Sequence, residues 1–270
     1  MPLAIIPRCV LLSLLVTYGS ATSIVVKLDK QRIILAADTR QDRLDAPSGI
    51  SHHSFHDDGC KILPLGKAAM GASGNMDYKR NDPSDSIPDW DTLSDAKEAY
   101  KLHGEDLRKV ADEWAQRGAS HYNIFYKVAS LRVRELASTN SDHVLVDAFF
   151  VEWDTSREPL LIWEKVYLDE NPPMLVRTSS QMLPYRELPY TTNFTTQQLV
   201  EGDPARVKTT AARWKSESLE MTEAERDWRS LEFLIKVTSE YEESVGSRVN
   251  VLEIPLGGQA QWLQNLTCPK

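Results

Sequence analysis

Thr22-Ser23-Ile24-Val25-Val26-Lys27-Leu28-Asp29-Lys30-Gln31-Arg32-Ile33-Ile34-Leu35-Ala36-Ala37-Asp38-Thr39-Arg40 is the stretch on which the reading of this chain turns. Residues 23–28 and 32–37 are rich in β-branched and aliphatic side chains, and Asp29-Lys30-Gln31 between them is polar. Two such runs separated by a few residues predict a β-hairpin. Thr22 stands directly before the first run and Asp38 directly after the second.

Upstream of Thr22 the chain changes character. Arg8 precedes the apolar run Cys9-Val10-Leu11-Leu12-Ser13-Leu14-Leu15-Val16, which gives way to Thr17-Tyr18-Gly19-Ser20-Ala21. A basic start, a short apolar run and small residues before a cut are the parts of a secretory signal. The run is short for a permanent membrane helix; an uncleaved anchor or a buried N-terminal strand are the alternatives. Gly19 and Ala21 occupy the small-residue positions, so the cut is expected just before Thr22. Residues 1–21 then form a signal peptide and residues 22–270 one exported domain. No later segment is long and apolar enough to span a membrane.

The chain carries 39 acidic against 31 basic residues, a formal net charge of −8. It has no basic stripe interleaved with aromatics, so nucleic acid is not an expected partner. Cys60 and Cys268 remain after signal removal and can pair in an oxidising compartment. Asn193-Phe194-Thr195 and Asn265-Leu266-Thr267 are glycan acceptor patterns.

Downstream of Asp38, residues 39–59 read as a polar loop. Residues 61–65 and 68–72 predict a second hairpin around Gly66-Lys67, and residues 81–91 a further loop. Helical periodicity runs from Thr92 through Trp114; Gly118 is expected to end that helix and Ser120 to cap the next, which reaches about Ser138. Strands are expected at 144–153, 160–167 and 174–177. Asp203-Pro204 opens a helix to about Leu219, and Thr222 to Glu225 is a capping box for a last helix. Gly246 is expected to terminate that helix, and residues 248–254 and 259–263 close the chain as a hairpin. Paired helices between groups of strands predict an α+β fold of antiparallel sheets with helices on their outer faces.

An N-terminal threonine carries a nucleophile and a base in one residue. Its hydroxyl attacks a carbonyl while its own α-amine takes the proton. A free α-amine titrates at about 7.7–8.0, so a nearby cation is needed to lower it and a carboxylate to hold the cation. Backbone N–H groups must meet the oxyanion. Asp38 after the first hairpin, Lys61 at the start of the second, and Gly71-Ala72-Ser73-Gly74-Asn75 after it supply these parts.

This arrangement resembles the proteasome β-subunits and their bacterial relatives in the N-terminal-nucleophile (Ntn) hydrolase superfamily. The family pattern has a Thr opening the mature chain and an Asp sixteen residues on, in an Ala-Ala-Asp-Ser-Arg-like motif. A Lys-Ile/Val and a Gly follow. Thr22 and Asp38 have that spacing, Ala36 to Arg40 matches with Thr39 in the Ser place, and Lys61-Ile62 and Gly74 follow in order. The resemblance implies an αββα four-layer sandwich and a threonine-type peptidase or amidase acting on a peptide or small amide. It implies no cofactor or metal, and the ring-forming habit of the family leaves a homo-oligomer open. Thr22 would be the nucleophile, Lys61 the cation, Asp38 its holder and Gly74 the oxyanion donor. For the family's supporting Asp and Ser after the last helix, Glu242 and Ser244 are the stand-ins; for its mid-chain Ser, Ser179 or Ser180.

Residues 39–60 are longer than the family's Asp-to-Lys interval, which would displace Lys61 if the loop were not accommodated. Within that loop His52, His53, His56 and Asp58 have donors suited to zinc or copper, but no rigid spacing, and the loop is expected to border the site mouth instead. The imperfect match over Glu242 to Ser247 motivates the rival reading, a catalytically inactive secreted protein serving binding or assembly. A third reading treats residues 1–21 as a propeptide removed by self-cleavage.

Overall fold

In a computed structural model of the chain, residues 22–45, 52–74, 76–78, 89–128, 130–137, 142–171 and 174–269 are described. The expected signal, residues 1–21, lies outside them, as does most of the expected loop at 81–91.

The first hairpin is β1 (Ile24–Leu28) and β2 (Arg32–Asp38), paired from Ile24 opposite Ala37 to Leu28 opposite Ile33. Next, β3 (Gln41–Asp45) and β4 (His52–His56) pair with each other where the sequence predicts a loop. The second expected hairpin is β5 (Ile62–Leu65) and β6 (Ala68–Gly74), followed by the short pair β7 (Asp77–Tyr78) and β8 (Trp90–Asp91). Three helices, α1 (Thr92–His103), α2 (Leu107–Val128) and α3 (Ser130–Ala137), precede β9 (Val144–Trp153), β10 (Pro159–Asp169), β11 (Leu175–Leu183) and β12 (Tyr190–Thr191). Then come α4 (Phe194–Glu201), α5 (Pro204–Glu217) and α6 (Glu223–Ser239), and the closing hairpin β13 (Val249–Pro255) and β14 (Gln261–Gln264).

The protein is therefore a mixed α+β fold. One five-stranded antiparallel sheet has the order β12-β1-β2-β13-β14, and a second has the order β11-β10-β9-β6-β5. Period-2 alternation sends the two faces of each strand to different cores. Ile24, Val26, Leu35 and Leu252 of the first sheet meet Ile62, Ala69, Phe149, Val151 and Leu161 of the second in a shared apolar layer. The opposite face of the second sheet packs on α1, α2 and α3 through residues such as Val110, Trp114, Tyr122 and Phe150. Val25, Ile34, Ala36 and Val251, on the opposite face of the first, pack on Leu231 and Ile235 of α6.

Two helix ends differ from the sequence expectation. The break falls at Gly104, whose φ of 60° lets its N–H reach Tyr100 O, and α2 continues through Gly118 and Ser120. Gly118 faces the second sheet instead: a Cβ there would stand 3.2 Å from Val166 Cγ2, so the small residue serves close helix–sheet approach. The last helix stops at Ser239, before Gly246, and its capping box between Thr222 and Glu225 is formed as the sequence predicts. Helix α4 is capped by Asn193, whose Oδ1 accepts from Thr196 N.

Cys60 and Cys268 form a disulfide across a sequence separation of 208. Asn265 of the second acceptor pattern folds back on Cys268, so the side chains of both acceptor asparagines are engaged within the chain. Among the described residues no helix is long and apolar enough to cross a membrane.

Candidate active site

Asp38 ends β2 at the point where three chain segments turn toward it. Its Oδ1 accepts from Ser23 N at 2.8 Å, and its Oδ2 accepts from Arg40 N and from Gly246 N, each at 3.0 Å. Gly246 therefore serves the site as a backbone donor, and a Cβ there would clash with Arg40 and Asp57. Lys61, in the link before β5, sends Nζ to both Asp38 oxygens at 3.2 and 3.1 Å and to Thr22 Oγ1 at 2.7 Å. Thr22, Asp38 and Lys61 are thus one hydrogen-bonded cluster, and all three are buried.

Burial pushes the Asp38 carboxyl up and the Lys61 ammonium down from their ordinary values. Their mutual attraction opposes both shifts, and the backbone N–H groups of Gly246 and Ser23 oppose that of Asp38. A carboxylate with that many N–H donors is held in one orientation, and it fixes Nζ beside the Thr22 hydroxyl.

The long interval between Asp38 and Lys61 does not displace the lysine. Its base is closed by Gly59 N to Thr39 O at 2.8 Å and by the Arg40–Asp57 pair, so β3 and β4 project as a separate hairpin. Arg40 also donates to Glu243 O, joining that base to the loop before Gly246. The Cys60–Cys268 disulfide anchors the residue next to Lys61, and Thr267 Oγ1 donates to Gly59 O at 2.7 Å. The side chains of His52 and His53 lie outside the described residues, and among the described residues no group of three metal-ligating side chains occurs.

Gly74 closes β6 with a φ of 97°, and a Cβ on it would fall 2.6 Å from Leu145 O, so this place requires glycine. Ala72 N donates to Lys61 O at 2.9 Å, which sets the Gly74 end of β6 beside Lys61.

The remaining expected residues separate. Glu242 Oε1 accepts from Thr195 Oγ1 at 2.5 Å, at the start of α4, and Ser244 is half-buried in the loop between Glu242 and Gly246. Ser179 and Ser180 are exposed on β11, an edge strand of the other sheet, and Ser180 bonds to Glu164. The mid-chain hydroxyl that connects to the Thr22 end of β1 is that of Thr196, through Ser23. Leu234 O can only accept, so Thr238 donates to it; Thr196 Oγ1 then donates to Thr238, and Ser23 Oγ to Thr196. This buried relay ties the residue after Thr22 to α4 and α6. The cap pattern at Asn193 was the one sequence signal for α4, and the glycan reading of the same triplet obscured it.

No protein-family model matches the chain, and no curated protein does.

Proposed function

We propose that this chain is an exported Ntn-type amide hydrolase with the αββα four-layer sandwich, cut before Thr22 to release its nucleophile. The observation that carries the reading is the Lys61 ammonium in contact with both Thr22 Oγ1 and the buried Asp38. In the uncut chain the Thr22 nitrogen is an amide and no base; removal of residues 1–21 makes it an α-amine.

Lys61 then acts twice. Its charge lowers the pKa of the amine, and its hydrogen bond to Oγ1 favours the alkoxide-like state of the hydroxyl. Thr22 Oγ attacks the amide carbonyl while the amine accepts the hydroxyl proton, directly or through a water. A backbone N–H at Gly74 faces the developing oxyanion. The same amine hands its proton to the leaving nitrogen, leaving an ester on Oγ that water hydrolyses. Asp38 is the positioning residue for Lys61, and Thr196 ties Ser23, the residue after Thr22, to α4. The substrate is a peptide or a small amide.

The test is covalent labelling of the mature protein with a peptide epoxyketone, which needs both the Oγ and the free amine of an N-terminal threonine. Labelling at Thr22 that disappears in Thr22→Ala is the expected result. A mature chain that begins at another residue, or one that begins at Thr22 and takes no label, overturns the proposal in favour of the silent secreted protein. Processing that persists in Thr22→Ala identifies a signal peptidase as the cutting enzyme; processing that stops identifies self-cleavage.

A further inference from the structure

The inner face of the second sheet carries a straight cross-strand row of polar residues. Ser73 on β6 is in register with Asp147 on β9, Asp147 with Lys165 on β10, and Lys165 with Ser179 on β11. The next row along is Gly71, Phe149, Trp163 and Gln181, and Phe149 and Trp163 belong to the apolar layer between the sheets. Polar residues therefore begin where that layer ends.

Several contacts place this row at the Thr22 end. A Cβ on Gly71 would stand 3.1 Å from Ile24 Cγ2, so these two positions face each other across the sheets. Two residues along the same faces, Ser73 and Thr22 follow. Lys61, whose side chain reaches Thr22, accepts from Ala72 N beside Ser73. Exposure rises along the row, from 5% at Ser73 and 6% at Asp147 to a partly exposed Lys165 and an exposed Ser179. The row thus runs from an exposed end at Ser179 to a buried end at Ser73, beside the segment that carries Lys61.

Asp147 is the unusual member. Its Oδ1 accepts from Ser73 Oγ and its Oδ2 from Trp163 Nε1 at 3.0 Å, both neutral donors. The neighbouring cation is turned aside: Lys165 Nζ is 3.1 Å from Asp142 and 4.1 Å above the Trp163 ring. Among the described residues no cation bonds to Asp147; a buried carboxylate without one is unfavourable by itself, and each of its oxygens keeps a second acceptor site.

We infer that Asp147 is a specificity residue of the proposed hydrolase, receiving an ammonium or guanidinium group of the substrate so that amides flanked by lysine- or arginine-like side chains are preferred. This rests on the Thr22 reading above. An incoming cation completes the ion pair that the fold leaves open, and Ser73 and Trp163 hold the carboxylate toward it.

The experiment compares two matched peptide epoxyketones, one with lysine and one with the isosteric, uncharged norleucine next to the reactive group, on the processed protein. The lysine probe is expected to label about ten-fold faster or more, and the rate ratio is expected to collapse toward one in Asp147→Asn. A second measurement uses only the wild type. Burial pushes Asp147 up to about 6, so the ratio should fall as pH drops through that value. Lys165 from β10 is the charged group acting on Asp147, and the Lys61–Asp38 pair lies at the same end; taking a ratio cancels whatever acts on both probes alike, the Thr22 amine included. Equal rates with the two probes, or a ratio unchanged by both the substitution and the pH, overturn the inference while leaving the Thr22 reading intact. No labelling by either probe brings down both.

Discussion

Asp38 and Asp147 are buried carboxylates in opposite sheets, and the protein holds them in opposite ways. Asp38 collects three backbone N–H groups and a bonded ammonium, so its charge is answered from within the fold. Asp147 collects a hydroxyl and an indole, and burial raises it to about 6. The first arrangement fixes a cation in place; the second leaves an anion in want of one. On the proposed reading, the first carboxylate positions machinery and the second meets a ligand.

The largest effect should come from removing the answer to Lys61. Asp38→Asn leaves a buried ammonium with no counter-charge, and breaking such a pair costs about 3–5 kcal/mol. An unfolding free energy lowered by that amount in a denaturant titration, with labelling at Thr22 lost, is expected; a small change would mean that the two carboxylates are more alike than their partners suggest.

Next is the disulfide that anchors the Asp38 side. Cys268→Ser releases the tail from the residue beside Lys61, and losing a crosslink over so long a loop costs about 2–5 kcal/mol. Unfolding under non-reducing conditions should show the loss, and the rate of Thr22 labelling should fall with it.

The smallest effect sharpens the comparison from the other sheet. Because the folded value of Asp147 is raised, the native state binds more protons than the unfolded chain between about pH 4 and pH 6. Its contribution to stability therefore declines as pH rises through that window, by roughly 2–3 kcal/mol. Asp147→Asn does not titrate, so its stability relative to wild type should climb between pH 4 and pH 7. Equal pH profiles for the two proteins would show that Asp147 has a compensating partner after all.

The parts that the sequence made legible are those where local pattern and tertiary role agree. The hairpins of β1 with β2 and of β5 with β6 show β-branched runs around polar turns, and Thr222 to Glu225 states its own cap. The contact of Thr22, Asp38 and Lys61 lies within such segments, on strand ends whose position follows from the hairpins. Other features depend on neighbours that spacing does not reveal. QDRLD and HHSFH of β3 and β4 lack the aliphatic alternation of a half-buried strand, because these strands pair only with each other. Gly118 carries the composition of a helix end but answers to Val166 across a packed interface. Gly246 similarly looks like a terminator, while its N–H is spent on a carboxylate far back in the chain. Ser179 and Ser180 lie exposed on the sheet opposite Asp38, while the hydroxyl that reaches Ser23, next to Thr22, is that of Thr196. Asp147 had no signal at all, since its meaning lies in a cross-strand register.

Gly246 also bears on the order in which the protein is made. Its N–H reaches Asp38 across 208 residues of chain, the same separation that the disulfide spans between Cys60 and Cys268. Asp38 and Cys60 leave the ribosome first, and the donor and the anchor that complete the surroundings of Asp38 and Lys61 follow 208 residues later. A nascent chain, or one truncated before Gly246, carries every side chain of the proposed chemistry without the frame that aligns them. The surroundings of Asp38 and Lys61 are therefore complete only when the segment from Gly246 to Cys268 has joined them.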